Sequence, residues 1–135
     1  MNTTLEKAVA AWLASVPAFS GVFIHAGQSE EEIPNDYPVI YVVCNVTESP
    51  ARTLYVAAVQ IIISTPEIIV GNLSVHESLV EALREVLLSA DSIEGFFPET
   101  TRCVGAELGK WDDAQDEGRW TTAAALTLGI VDRRG

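Results

Sequence analysis

Apolar positions along this chain recur with two periods, near 3.6 and 2, and the alternation between them predicts its elements. Leu5, Val9, Trp12, Leu13 and Val16 fall at helical spacing and predict a helix over 3–16 with one apolar stripe. Thr3 followed by Glu6 has the form of a capping box, the hydroxyl serving a first-turn amide while the glutamate reaches back. Pro17 disfavours a helical Val16 and sets the end. A short strand over 21–26 follows, then a loop over 28–37 holding Glu30, Glu31 and Glu32 and the turn pair Asn35-Asp36. Pro38 opens a second strand over 39–47, apolar in both phases and so expected to be covered on both faces.

A third strand is predicted over 53–64. Tyr55, Ala57, Val59, Ile61 and Ile63 make one face, and Leu54, Val56, Ala58 and Ile62 make the other, interrupted only by Gln60. Ser74 with Glu77 repeats the capping-box pattern ahead of a helix over 75–90, whose stripe is Leu79, Leu83, Val86 and Leu87. A connection containing Phe96 and Phe97 leads to a long hairpin. Its strands are predicted at 102–111 and 119–131, around an acidic turn over 112–118 flanked by Trp111 and Trp120, which are expected to face each other. In the return strand Trp120, Thr122, Ala124, Leu126, Leu128 and Ile130 alternate with a phase of small residues.

This order predicts an α+β fold in one domain over 1–135. A mostly antiparallel sheet of about five strands carries two helices packed on one face. Two helices cover one face only, so the apolar second face of the third strand is left over. Leu54, Val56, Ala58 and Ile62, with Phe96 and Phe97 as aromatic anchors, are therefore the candidate self-association surface.

Composition narrows the partners. The 135 residues carry 19 acidic and 8 basic side chains, a net charge of −11, which opposes binding to a nucleic-acid backbone or an anionic membrane. No apolar run reaches membrane-spanning length, and the first residues lack the basic lead and continuous apolar core of a signal peptide. Cys44 and Cys103, far apart in apparent strands, read as free thiols in a reducing compartment, and hence as cytosolic.

Catalytic chemistry is not announced. There is no Gly-rich phosphate loop, HExxH, CxxC or GxSxG. His25 reads as an ordinary strand or loop residue and His76 as a surface residue in a first helical turn. Asp112, Asp113, Asp116 and Glu117 form one dense acidic turn that lacks the spacing of an EF-hand loop. The expectation is a non-enzyme without cofactor or metal.

Five stretches in this order carry a resemblance: the short first helix, YPVIYVV after an acidic loop, RTLYVAAVQIIIST, NLSVHESLVEALREVLL, and Trp111 with an acidic turn and GRWTTAAALTLGIVDR. Together they span nearly the whole chain, which resembles the tail terminator (tail completion) proteins of tailed bacteriophages and prophages. The resemblance implies a structural role: a six-membered ring that caps the tail tube, stops its growth and offers the surface that joins the head. It implies as partners copies of the chain itself, a tail tube protein and a head-completion protein, with DNA only as passing cargo and no membrane. The place of action would be the virion tail, assembled in the host cytoplasm. On that reading Glu30, Glu31, Glu32, Asp112, Asp113, Asp116 and Glu117 are candidates for facing the ring's lumen and repelling DNA. The rival of a different class is an acidic binding module, an inhibitor or DNA mimic for a basic partner.

Overall fold

A computed structural model describes residues 2–27, 38–48, 54–67, 72–89, 93, 95–97, 101–116 and 118–132. In chain order the elements are helix α1 (Asn2–Ala14), strands β1 (Phe23–Ala26), β2 (Val39–Glu48) and β3 (Leu54–Pro66), helix α2 (Asn72–Leu87), and strands β4 (Thr101–Asp116) and β5 (Arg119–Asp132). The strands form one sheet in the order β1-β2-β3-β5-β4. Only β1 and β2 are parallel; β2–β3, β3–β5 and β4–β5 are antiparallel. This is the expected α+β architecture, with a mixed but mostly antiparallel sheet.

Both helices lie on one face. α1 packs on β1 and β2, and α2 on β3 and β5. The sheet's contribution to the core comes from one phase of each strand: Ile40, Val42 and Cys44; Ala57, Val59, Ile61 and Ile63; Ala124, Leu126, Leu128 and Ile130. Register puts these side by side, with Ile61 between Val42 and Ala124, and Val59 between Cys44 and Leu126. Leu5, Val9 and Leu13 of α1 and Leu79, Leu83 and Leu87 of α2 close the core from above. Each such aliphatic side chain contributes roughly 1.5–3 kcal/mol by leaving water.

The opposite face stays largely open. Val43 and Val56 are each 41% exposed, and Asn45, Ala58, Gln60, Ala125 and Thr127 are exposed beside them. The expectation that β2 is covered on both faces therefore fails at Val43 and Asn45. At one end the face is shielded, where the Arg119 guanidinium donates to Ser64 Oγ (2.6 Å) and to the Ser64 carbonyl (3.1 Å).

Both predicted capping boxes also fail. α1 already begins at Asn2, and Glu6 is turned inward, 1% exposed. α2 begins at Asn72, so Ser74 and Glu77 lie inside the helix as exposed residues. The larger revision concerns the hairpin. β4 continues to Asp116, and only residues 117 and 118 connect it to Arg119; Gly118 takes φ +80°, a left-handed conformation suited to glycine. Trp111 is opposite Ala124 and Trp120 is opposite Gln115, so the two indoles do not face each other.

Two irregularities in β4, at Val104 and at Gly109-Lys110, place extra residues against β5. Each shifts the side-chain alternation by one. The helix-side positions thus run Cys103, then Ala106 and Leu108, then Trp111 and Asp113. Gly109 is required at the second irregularity, since a Cβ there would lie 2.9 Å from the Ala125 Cβ.

Candidate functional site: a cavity beneath helix α2

Where the first turns of α2 meet the β4–β5 end of the sheet there is a cavity of about 410 Å³. Leu73 and Val80 give it an apolar side, Trp120 an aromatic one, and Glu77, Glu81 and Asp113 line it with carboxylates. No Lys or Arg is among the lining residues. Asp113 reaches this cavity because the second irregularity in β4 turns it to the helix side, opposite Thr122.

His76 forms the inner wall. It is 5% exposed and bridges two strands, with Nδ1 2.9 Å from Thr65 Oγ1 and Nε2 2.8 Å from Thr122 Oγ1. Thr122 in turn donates its hydroxyl to Asp113 Oδ1 at 2.7 Å. That last bond fixes the others. With its proton committed to Asp113, Thr122 Oγ1 can only accept from His76, so Nε2 carries the ring proton. In the neutral ring Nδ1 is then the acceptor for the Thr65 hydroxyl, and this is the one neutral tautomer that satisfies all three bonds. Burial pulls the His76 pKa below its ordinary value, against the opposing pull of the Asp113 and Glu77 carboxylates.

The expectation of a surface His76 is thus overturned. His76, Leu79 and Leu83 share the spacing i, i+3, i+7, so the histidine stands on the buried stripe of α2. The same spacing links Glu6, Val9 and Leu13 in α1, and it was a readable signal in both helices.

Glu6 makes a second polar feature under the helices. Its Oε2 accepts the backbone N–H of Cys44 at 3.0 Å, while Oε1 is buried and has no hydrogen-bond partner among the described residues. β1 ends at Ala26, and Gly27 N–H donates to the Val42 carbonyl at 2.7 Å. The parallel ladder would next send Cys44 N–H to the Gly27 carbonyl. The Glu6 carboxylate takes that place. Buried beside Glu6, the Cys44 thiol has its pKa pushed up to about 12, chiefly by burial and further by the carboxylate.

The other sequence-selected residues do not converge on one site. Glu30, Glu31, Glu32 and Glu117 lie outside the described residues, as do the side chains of Asp116 and Leu54. Asp112 is exposed on the open face and Asp113 on the helix face, so there is no single acidic turn. Val56 and Ala58 are exposed and Ile62 half-buried on the open face. Phe96 sits across the molecule among Trp12, Val16 and Val86, and Phe97 is buried in the core. Among the described candidates for self-association, Val56, Ala58 and Ile62 are therefore apart from Phe96 and Phe97. His25 is buried in β1, its ring centroid 6.3 Å from that of Phe23 and 5.9 Å from that of Tyr41. Neither Cys44 nor Cys103 is in a disulfide. Among the described residues no group of three His, Cys, Asp or Glu is placed to hold a metal ion, and no helix is long and apolar enough to cross a membrane.

No protein-family model matches the chain, and no curated protein sequence does. Solved structures do share its fold. One is 13% identical, superposes with a TM-score of 0.51, and covers 96% of this chain and 90% of its own. At that identity the likeness concerns the fold alone.

Proposed function

We propose that the protein is a structural subunit that works by assembling with copies of itself, as a ring-forming tail terminator of the kind its element order resembles. The observation that carries this reading is the open face of the sheet. Val43, Val56, Ala58 and Ala125 are exposed there, with Ile62 and Ala123 half-buried between them. An uncovered sheet face that carries these apolar side chains beside Asn45, Gln60 and Thr127 offers a surface for a partner. In a ring, contacts are heterologous: the face meets a different surface of the next copy, and rotation closes the circle. Copies of a chain with net charge −11 would line such a ring with negative potential, so DNA passes without adhering. The role needs no catalytic group.

The test is the native mass by light scattering after size exclusion, over a wide range of concentrations, for the wild type and Val56→Glu. The expected result is a hexamer, or association that rises with concentration, in the wild type only. A wild type that stays monomeric throughout, alone and with tail tube protein, argues against the ring.

A second reading is favoured by a specific observation. The cavity under α2 presents Glu77, Glu81 and Asp113 beside Trp120 with no basic residue lining it, an arrangement suited to a Lys or Arg side chain of a basic partner protein. Retention of the chain by an immobilised basic partner, lost in Asp113→Asn, would support this alternative.

A further inference from the structure

The polar chain beneath α2 joins four elements by three hydrogen bonds. Thr65 belongs to β3, His76 to α2, Thr122 to β5 and Asp113 to β4. Thr65 is 0% exposed and Thr122 3%, so both hydroxyls are shielded from bulk solvent. The rest of α2 is anchored by Leu79, Leu83 and Leu87, all from its middle and C-terminal turns. In the first turns Leu73 and Val75 are exposed, and His76 is the only buried residue described before Leu79. The hold on this end of the helix is therefore concentrated in one imidazole.

That hold depends on the protonation state of the ring. Adding a proton to Nδ1 places an N–H against the Thr65 hydroxyl that now donates to it. Thr65 must then accept and turn its own proton away from the ring, and the added charge sits in a buried position where it is disfavoured. The opposing influence comes from the carboxylates of Asp113 on β4 and Glu77 on α2, while Glu81 lines the same cavity. Among the described residues, β3 and β5 offer His76 the hydroxyls of Thr65 and Thr122. We propose that the Thr65–His76–Thr122–Asp113 chain is an acid-released latch: it holds the first turns of α2 on the sheet while the ring is neutral. When the ring takes a second proton, those turns leave the sheet and the cavity beneath them opens.

The sign follows from linkage. In the released state His76 meets water and titrates near its ordinary value; latched, its pKa is lower. The latch is at full strength above the ordinary value and weakens as pH falls through it towards the latched value. Over that window the opening equilibrium rises by up to about tenfold per pH unit, and below the latched pKa it levels off.

Amide hydrogen exchange on the full chain tests this, at about pH 7.5 and about pH 5.5, corrected for intrinsic exchange. Amides of His76 to Val80 should lose protection on acidification, by up to about tenfold, while those of Leu83 to Leu87 keep theirs. In His76→Gln, which does not titrate, the difference between the two pH values should vanish. Unchanged protection at His76 to Val80 in the wild type, or an acid response that survives in His76→Gln, overturns the latch. Should that variant fail to fold, NMR on the wild type decides. The midpoint of His76 ring titration must coincide with that of the α2 opening, and a ring that titrates while α2 stays protected overturns the proposal equally.

Discussion

Replacing Glu6 by Gln and by Met separates a hydrogen bond from a buried charge. Both substitutions remove the carboxylate's charge, and both side chains are unbranched and of similar length. Only Gln retains an oxygen able to accept the Cys44 N–H, which Glu6 Oε2 now takes at 3.0 Å. β1 has ended at this level, so no strand carbonyl replaces the lost acceptor in the Met variant. A buried backbone donor left unpaired costs about 1–3 kcal/mol. Glu6→Gln, however, puts an NH2 where Oε1 has no partner among the described residues, so total stability does not separate the two variants and the Cys44 amide does. Its local opening should be easier in Glu6→Met than in Glu6→Gln by about 1–3 kcal/mol, a protection factor lower by roughly 5- to 150-fold. Hydrogen exchange followed by NMR reads that one amide. Equal protection in the two variants would falsify the idea that a side chain completes the ladder where β1 stops.

Two further outcomes follow from close packing. The Cys44 thiol, buried and with its pKa pushed up to about 12, should resist a thiol reagent near neutral pH, so that the native protein loses one thiol, Cys103, and the denatured protein two; rapid loss of both natively would contradict the packing of α1 on β2. Gly109→Ala should destabilise by about 1–3 kcal/mol in thermal melts, because the added Cβ falls 2.9 Å from that of Ala125 and both groups are fixed to the backbone; a neutral result would mean that β4 does not cross β5 so closely there.

Much of this architecture is legible from residue type alone, and the reasons it is legible also mark where it stops. β3 and β5 alternate without interruption, so their buried phases can be read directly: Ala57, Val59, Ile61 and Ile63 against Ala124, Leu126 and Leu128. β4 cannot be read this way. Its two irregularities reset the alternation twice, and the acidic run beyond Trp111 has the composition of a loop although the backbone continues as strand to Asp116. Side-chain pattern reports strand only while the period holds. The polar residues of the core were misplaced for a different reason. Thr3 with Glu6, and Ser74 with Glu77, match a local capping rule, but Glu6 finds a tertiary partner in Cys44 N–H, and α2 starts at Asn72, three residues before the first helical position that a Ser74 cap would set. By residue type His76 reads as a surface residue, but its place on the Leu79–Leu83 stripe of α2 buries it. The hydroxyls that make its burial tolerable, Thr65 and Thr122, are 11 and 46 residues away along the chain, beyond the reach of any local pattern.

The strand order also governs how the chain finds its fold. β2 with β3, and β4 with β5, are two hairpins made of neighbours in sequence, each able to form through short-range pairing. What joins them is a single seam between β3 and β5, whose nearest partners, Pro66 and Arg119, are 119 − 66 = 53 residues apart. α2 lies between those strands in sequence and packs across both in space. Docking of the helix and closure of the seam are therefore one cooperative event, and it carries the largest loop-closure entropy in the sheet's core. Until it happens, two half-sheets expose the edges of β3 and β5 side by side in one chain. The rate of that one joining step sets how long a newly made molecule can pair with the wrong partner instead.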